Sequence, residues 1–169
     1  MEIKILAHKF KFQYSNLISL ALVVFFPLFV PNSQIITGSI VNTTLAYNSI
    51  KRHPNSFWYL LIIPSLISLF QSAILGPFSN SLYYFLLPIW ISNYIFTLTI
   101  HKFPKYKIFS IILKVAILFS FTMLFINSAL VPNAVISSMV LNQMITSTIG
   151  IILSQLITKT LNGNFTKTG

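Results

Sequence analysis

Six apolar runs separated by short polar joints constrain this chain more than any other feature. They cover roughly Tyr14 to Val30, Gln34 to Ile50, Phe57 to Leu75, Leu82 to Ile100, Ile108 to Val131 and Ala134 to Thr158. Each is close to the ~17–25 residues that a helix needs to cross a bilayer, and Pro or Gly marks several joints, as at Pro31-Asn32 and Gly76-Pro77. Hydrophobic residues fill 55% of the 169 positions and charged residues 7%, with a mean hydropathy of +0.81. Soluble domains carry about 25% charged residues, so this chain has too little polar surface to cover its core in water. Helices are the expected spanning elements because each closes its own backbone hydrogen bonds in lipid. The sequence therefore predicts an all-α, polytopic membrane protein.

The second run, QIITGSIVNTTLAYNSI, is polar for a span and could instead lie in the interface. Charge placement decides in favour of a span. The net charge of +10 comes from 11 Lys and Arg against one acid, Glu2. Such a balance can mark a nucleic-acid binder, but here the basic residues form short clusters between apolar runs. With six spans, Lys4/Lys9/Lys11, Lys51-Arg52, Lys102/Lys105/Lys107 and Lys159/Lys167 all fall on one side, while Pro31–Ser33, Gly76–Ser81 and Pro132–Asn133 carry no charge. Removing the second span would throw Lys51, Arg52 and the Lys102 cluster to the side opposite the N-terminus. The bias of Lys and Arg toward the cytoplasm predicts a six-transmembrane-helix bundle in the cell membrane with both termini cytoplasmic. Residues 1–158 form one membrane domain, residues 159–169 form a short polar cytoplasmic tail, and no cleavable signal peptide is expected.

The chemistry available inside the membrane is narrow. There is no Cys, so thiolate metal sites, disulfides and Cys nucleophiles are excluded. His8, His53 and His101 lie in the basic segments, no acid is available within the spans, and no phosphate-binding loop occurs. The chain reads as a non-enzyme with no cofactor, no metal and no energy source of its own. One cation lies within a span: Lys114, about 9–10 Å from the start of the fifth run at ~1.5 Å per residue. It is within snorkelling reach of the interface, and it is also a candidate contact to an anionic ligand or partner.

Uncharged polar residues gather toward the middle and the uncharged side. Gly38, Asn42 and Ala46 share one helical stripe with Thr37, Thr44 and Asn48 beside it. Gln143, Ser147, Gly150 and Ser154 form another, flanked by Asn142 and Thr146. Gln71, Asn93 and Asn127 add amides on the third, fourth and fifth runs. Hydroxyls at such positions serve helix packing, whereas amides at comparable depth on several helices suit a polar pocket, since each needs several partners. An outward-facing cavity bordered by Asn42, Asn93 and Gln143 is expected, with Tyr83, Tyr84 and Trp90 as interface anchors or stacking surfaces near its mouth.

QIITGSIVN (Gln34 to Asn42), IIPSLISLFQSAILGPF (Ile62 to Phe78), YYFLLPIWISNYIF (Tyr83 to Phe96) and LNQMITSTIG (Leu141 to Gly150) occur in that order. Together they resemble the substrate-binding S components of energy-coupling-factor (ECF) transporters. Thr37, Gly38, Asn42, Pro77, Pro88, Asn93, Lys114, Gln143 and Thr146 occupy matching positions. Two departures stand out: the family often has a basic residue near Gln71, and many members dock their partner through Ala-x-x-x-Ala in the first helix, where this chain has Ser15 and Ser19. The resemblance implies a subunit that captures a small polar metabolite or vitamin-like solute through Thr37, Asn42, Gln71, Asn93, Gln143 and Thr146. Its partners would be the lipid bilayer, the solute, a transmembrane coupling protein and cytoplasmic ATPases, with no nucleic acid. The alternative is a small structural or assembly subunit of a larger membrane complex.

Overall fold

The computed structural model describes residues 2–30, 33–75 and 79–165, with side chains described for 14–30, 33–71, 82–136 and 139–161. Pro31, Gly76, Pro77 and Lys167 lie outside the described residues, as do the side chains of Glu2, Lys4, Lys9 and Lys11. Among the described residues the chain is all-α, with six α-helices and no strand: α1 (Glu2–Phe29), α2 (Gln34–Lys51), α3 (Trp58–Leu75), α4 (Ser79–Lys102), α5 (Lys107–Asn127) and α6 (Asn142–Phe165). Three segments, Leu82–Lys102, Lys107–Asn127 and Met139–Leu161, are long and apolar enough to cross a membrane, and Tyr14–Phe29 is a shorter apolar helix.

Helix boundaries follow local chemistry. α1 starts well before the first apolar run because no Gly or Pro interrupts it until Pro27, which ends the helix within a turn. Ser33 caps α2 by accepting the Ile36 N–H. A 3₁₀ turn at Pro54–Phe57 leads into α3, and Pro104 blocks extension of α4. α5 stops at Asn127, four residues before the fifth apolar run ends. There the Leu130 N–H bonds the Phe125 carbonyl and the Ala129 N–H bonds the Ile126 carbonyl (both 2.9 Å). This is a Schellman turn with Ala129 in the left-handed region at φ 53°. A π-helical turn at Ser137–Leu141 precedes α6, which continues through Phe165, so the first residues of the expected tail are helical.

The most polar helix lies at the centre. α2 packs against α1, α3, α4 and α6, and its pairing with α6 is the most extensive in the bundle. Its buried residues include Ser39, Asn42, Thr43, Thr44, Asn48 and Ser49. Hydroxyls there return to the preceding turn: Thr43 Oγ1 donates to the Ser39 carbonyl (2.7 Å), Thr44 Oγ1 to Ile40 (2.9 Å) and Ser49 Oγ to Leu45 (2.6 Å). Asn48 Nδ2 reaches Ser19 Oγ on α1 (3.0 Å). Ser19, read from sequence as a docking position, is thus buried against α2. Apolar packing surrounds this polar axis, with Val23, Leu45, Leu60, Phe96, Ile100 and Ile151 drawn from five helices. A second cluster of Phe85, Val131, Val135 and Met139, with the Phe125 ring edge-on to Phe85, closes the other end.

Charged segments share one end of the bundle. Arg52 bonds Asn16 of α1 and lies over the Phe57 ring. His53 and His101 meet edge-to-face at 5.4 Å, and His101 Nδ1 is 3.1 Å from the Ser49 carbonyl. Lys105, Lys107 and Lys159 border a common cleft at this basic end. At the opposite, uncharged end Asn142 donates to Gln34 across α6 and α2 (2.8 Å).

The α2–α6 approach is close enough to test by single methyl groups. A Cβ at position 150 would lie 2.7 Å from the Asn42 backbone carbon, whereas one at position 38 would meet only the Thr146 side chain, at 3.0 Å. Gly150→Ala is expected to destabilise the bundle by about 1–3 kcal/mol and Gly38→Ala by less, read as thermal unfolding in detergent. Equal losses would contradict the backbone contact. Ala129→Gly is expected to stabilise by about 1 kcal/mol, because glycine carries no left-handed penalty.

Candidate functional site

The candidate site centres on Lys114 and is built by four helices, α2, α4, α5 and α6. α5 buries Ser110, Lys114, Leu118 and Thr122, an every-fourth-residue stripe that is mostly polar, while Ile108, Ile112 and Phe119 face outward. Lys114 is 1% exposed. α5 packs on α4 and α6, and the Lys114 side chain carries it onward to α2. Its Nζ donates to Asn42 Oδ1 at 2.7 Å and lies 4.9 Å from the centre of the Phe96 ring on α4. The snorkelling expected as one option from depth alone is not observed, because the ammonium turns inward to an amide oxygen and an aromatic face.

Asn42 links the ammonium to α6. With Oδ1 facing the donor, Nδ2 donates to Thr146 Oγ1 at 3.0 Å, and Thr146 Oγ1 donates in turn to the Gln143 carbonyl at 3.4 Å. The chain of donors thus runs one way, from Lys114 to the start of α6. Gly38 and Gly150 make it possible by letting α6 come against α2 at Thr146 and Asn42. Two buried hydroxyls flank it, Ser39 Oγ on α2 and Ser147 Oγ on α6, neither with a hydrogen-bond partner among the described residues. Among the described residues no carboxylate lies beside the cation, and the only acidic residue of the sequence is Glu2, at the start of α1. A charge at the centre of a bilayer would cost about 2.5–3.5 kcal/mol on insertion scales and less near the edge, and one amide bond with one ring offsets part of the burial cost of Lys114.

The remaining positions expected to form the site are distributed over other contacts. Thr37 Oγ1 donates to the Val30 carbonyl (2.9 Å), closing the α1–α2 turn. Gln71 Nε2 bonds the Leu28 carbonyl, joining α3 to α1. Asn93, buried on α4, directs Nδ2 toward the Leu61 carbonyl of α3 (3.4 Å). Gln143 is half-buried and enters the relay through its backbone oxygen. Asn42, Thr146 and Lys114 are therefore brought together, while Thr37, Gln71 and Asn93 turn elsewhere. Tyr83 and Tyr84 are exposed and stack edge-to-face at 6.2 Å. Trp90 instead donates to Ser65 Oγ (2.7 Å), linking α4 to α3. Sequence reading missed Phe96, Ser39 and the polar stripe of α5. The stripe was visible as Ser110, Lys114 and Thr122 at multiples of four; Phe96 carried no signal among 16 phenylalanines.

The ammonium and its acceptor should respond unequally to mutation. Asn42→Leu strands a buried charge and is expected to cost about 2–3 kcal/mol. Lys114→Met removes the charge and is expected to be neutral or stabilising. The double variant should recover most of the Asn42→Leu loss in thermal unfolding, and simple additivity would show that the two residues are not coupled.

No family model, curated protein or solved structure matches this chain. Any functional reading therefore begins from the Lys114 centre.

Proposed function

We propose that this chain is a six-span membrane protein with both termini cytoplasmic, and that it captures a small polar solute with a carboxylate or similar acceptor at the Lys114 centre. The observation that carries the reading is a buried ammonium that has no carboxylate partner among the described residues: it has three donors, and Asn42 meets one of them. The buried Ser39 and Ser147 hydroxyls, on the helices that carry Asn42 and Thr146, are further unmet groups. The gathering of Arg52, Lys105, Lys107 and Lys159 at one end supports the topology, since basic residues mark the cytoplasmic side. An acceptor-bearing solute would draw the ammonium from Asn42, and the directional bonds through Thr146 would pass that change to α6.

Concentrating a solute needs coupling to ATP or to an ion gradient, and the sequence has neither a phosphate-binding loop nor an acidic residue within its apolar runs. The sequence resemblance to ECF S components fits that division of labour, with a separate membrane coupling protein and cytoplasmic ATPases as partners. The second reading, an assembly subunit of a larger membrane complex, draws on Thr37, Gln71, Asn93 and Trp90, whose polar atoms join helices to one another.

The two readings separate in one experiment. Protein purified in mild detergent is denatured, and the small molecules it releases are identified by mass spectrometry. Capture predicts one carboxylate-bearing or similarly anionic solute, lost from Lys114→Met while the fold is retained. Liposomes containing the chain alone should then bind this solute without accumulating it under sodium, proton or potential gradients. Accumulation under any one gradient overturns the capture reading in favour of a secondary transporter, and release of no solute favours assembly.

A further inference from the structure

A second cationic feature lies apart from Lys114. At the basic end a cavity of about 470 Å³ opens between the start of α5 and the last turns of α6. Lys105 and Lys107 enter it from the α4–α5 joint and the first residue of α5, Lys159 and Gln155 from α6, and Ile108 and Ile151 form apolar wall. On α6 the lining positions Ile151, Gln155 and Lys159 recur every four residues, so one helix face looks into the cleft.

Among the described residues no acidic side chain lines this cleft. The single acid opens α1, which packs on α2 and α3 and has no packing contact with α5 or α6. Lys107 also stands at the positive end of the α5 dipole, where a cation is disfavoured and an anion is favoured, and α5 begins without a side-chain cap. The apolar side of the cleft continues away from the charges: Ile108 is 73% exposed, and Ile112, one turn further along α5, is 57% exposed. Cationic groups at the end of a spanning helix, above an exposed apolar wall, match the two halves of a phospholipid.

We infer that this cleft binds an anionic glycerophospholipid of the cytoplasmic leaflet, with Lys105, Lys107 and Lys159 on the headgroup phosphate and an acyl chain along Ile108 and Ile112. A free phosphate would use the lysines and leave the apolar wall without a role. The inference rests on the proposed orientation, which puts the basic end at the cytoplasmic leaflet, and it stands or falls independently of solute capture at Lys114.

Native mass spectrometry of the full chain in neutral detergent tests it. Phosphatidylglycerol, phosphatidylcholine and inorganic phosphate are added in separate arms, and size-exclusion profiles check that each variant is folded. The expected result is selective retention of phosphatidylglycerol, weakened about thirtyfold by Lys105→Gln/Lys159→Gln, which is ~1 kcal/mol for each lysine. Lys51→Gln/Lys102→Gln removes equal charge from the same end outside the cleft and should weaken retention far less. Equal retention of the two lipids, or equal losses in the two variants, overturns the site. Displacement of phosphatidylglycerol by millimolar inorganic phosphate identifies a soluble-anion site and overturns the lipid assignment.

Discussion

Backbone-to-backbone contact between α2 and α6 is the constraint on which the rest of the molecule depends. At Gly150 there is no room for even a methyl group beside Asn42. That proximity brings Thr146 within reach of the Asn42 amide, which fixes the direction of the amide and leaves Oδ1 facing α5. Lys114 can be buried only because that oxygen is already oriented. Two positions without side chains thus decide where a cation can lie one helix away.

Burying the polar helix and exposing apolar ones inverts the arrangement of a water-soluble bundle. α2 is tolerated in the interior because Thr43, Thr44 and Ser49 return their hydroxyls to the preceding turn and Asn42 and Asn48 reach neighbouring helices. α5 repeats the inversion in its own cross-section, with serine, lysine and threonine inward and isoleucine and phenylalanine outward. Internal prolines at Pro64 and Pro88 do not stop α3 or α4, and the Pro64 carbonyl accepts the Ser68 hydroxyl.

Much of the architecture was legible in the sequence because it rests on one-dimensional properties. Apolar run length located the helices, the polar second run among them. The special role of Asn42, Thr146 and Lys114 could be anticipated from polarity in an apolar context. Their mutual contact could not, since Asn42 and Lys114 are 72 positions apart and their pairing depends on how three helices rotate about their axes. Gln71 and Asn93 illustrate the same limit: an amide pointing to a pocket and an amide bonding the neighbouring backbone read identically along the chain. Helix ends were least legible where capping geometry decides them, as at Ala129, an ordinary helix former that adopts the left-handed turn residue.

Order of synthesis gives the polarity of α2 another consequence. Asn42 leaves the ribosome 104 residues before Thr146, and Gln34 leaves 108 before Asn142. At ~5–20 residues per second, that gap is about 5–20 s. During it α2 has α1, α3 and α4 for company, but its most extensive neighbour does not yet exist, and Asn42 lacks its α6 partner. Until α6 arrives, the nascent chain is a partly assembled bundle with its most polar helix incompletely enclosed. The sixth helix to be made is the one that completes the enclosure of the second, so truncation ahead of α6 would be felt at α2.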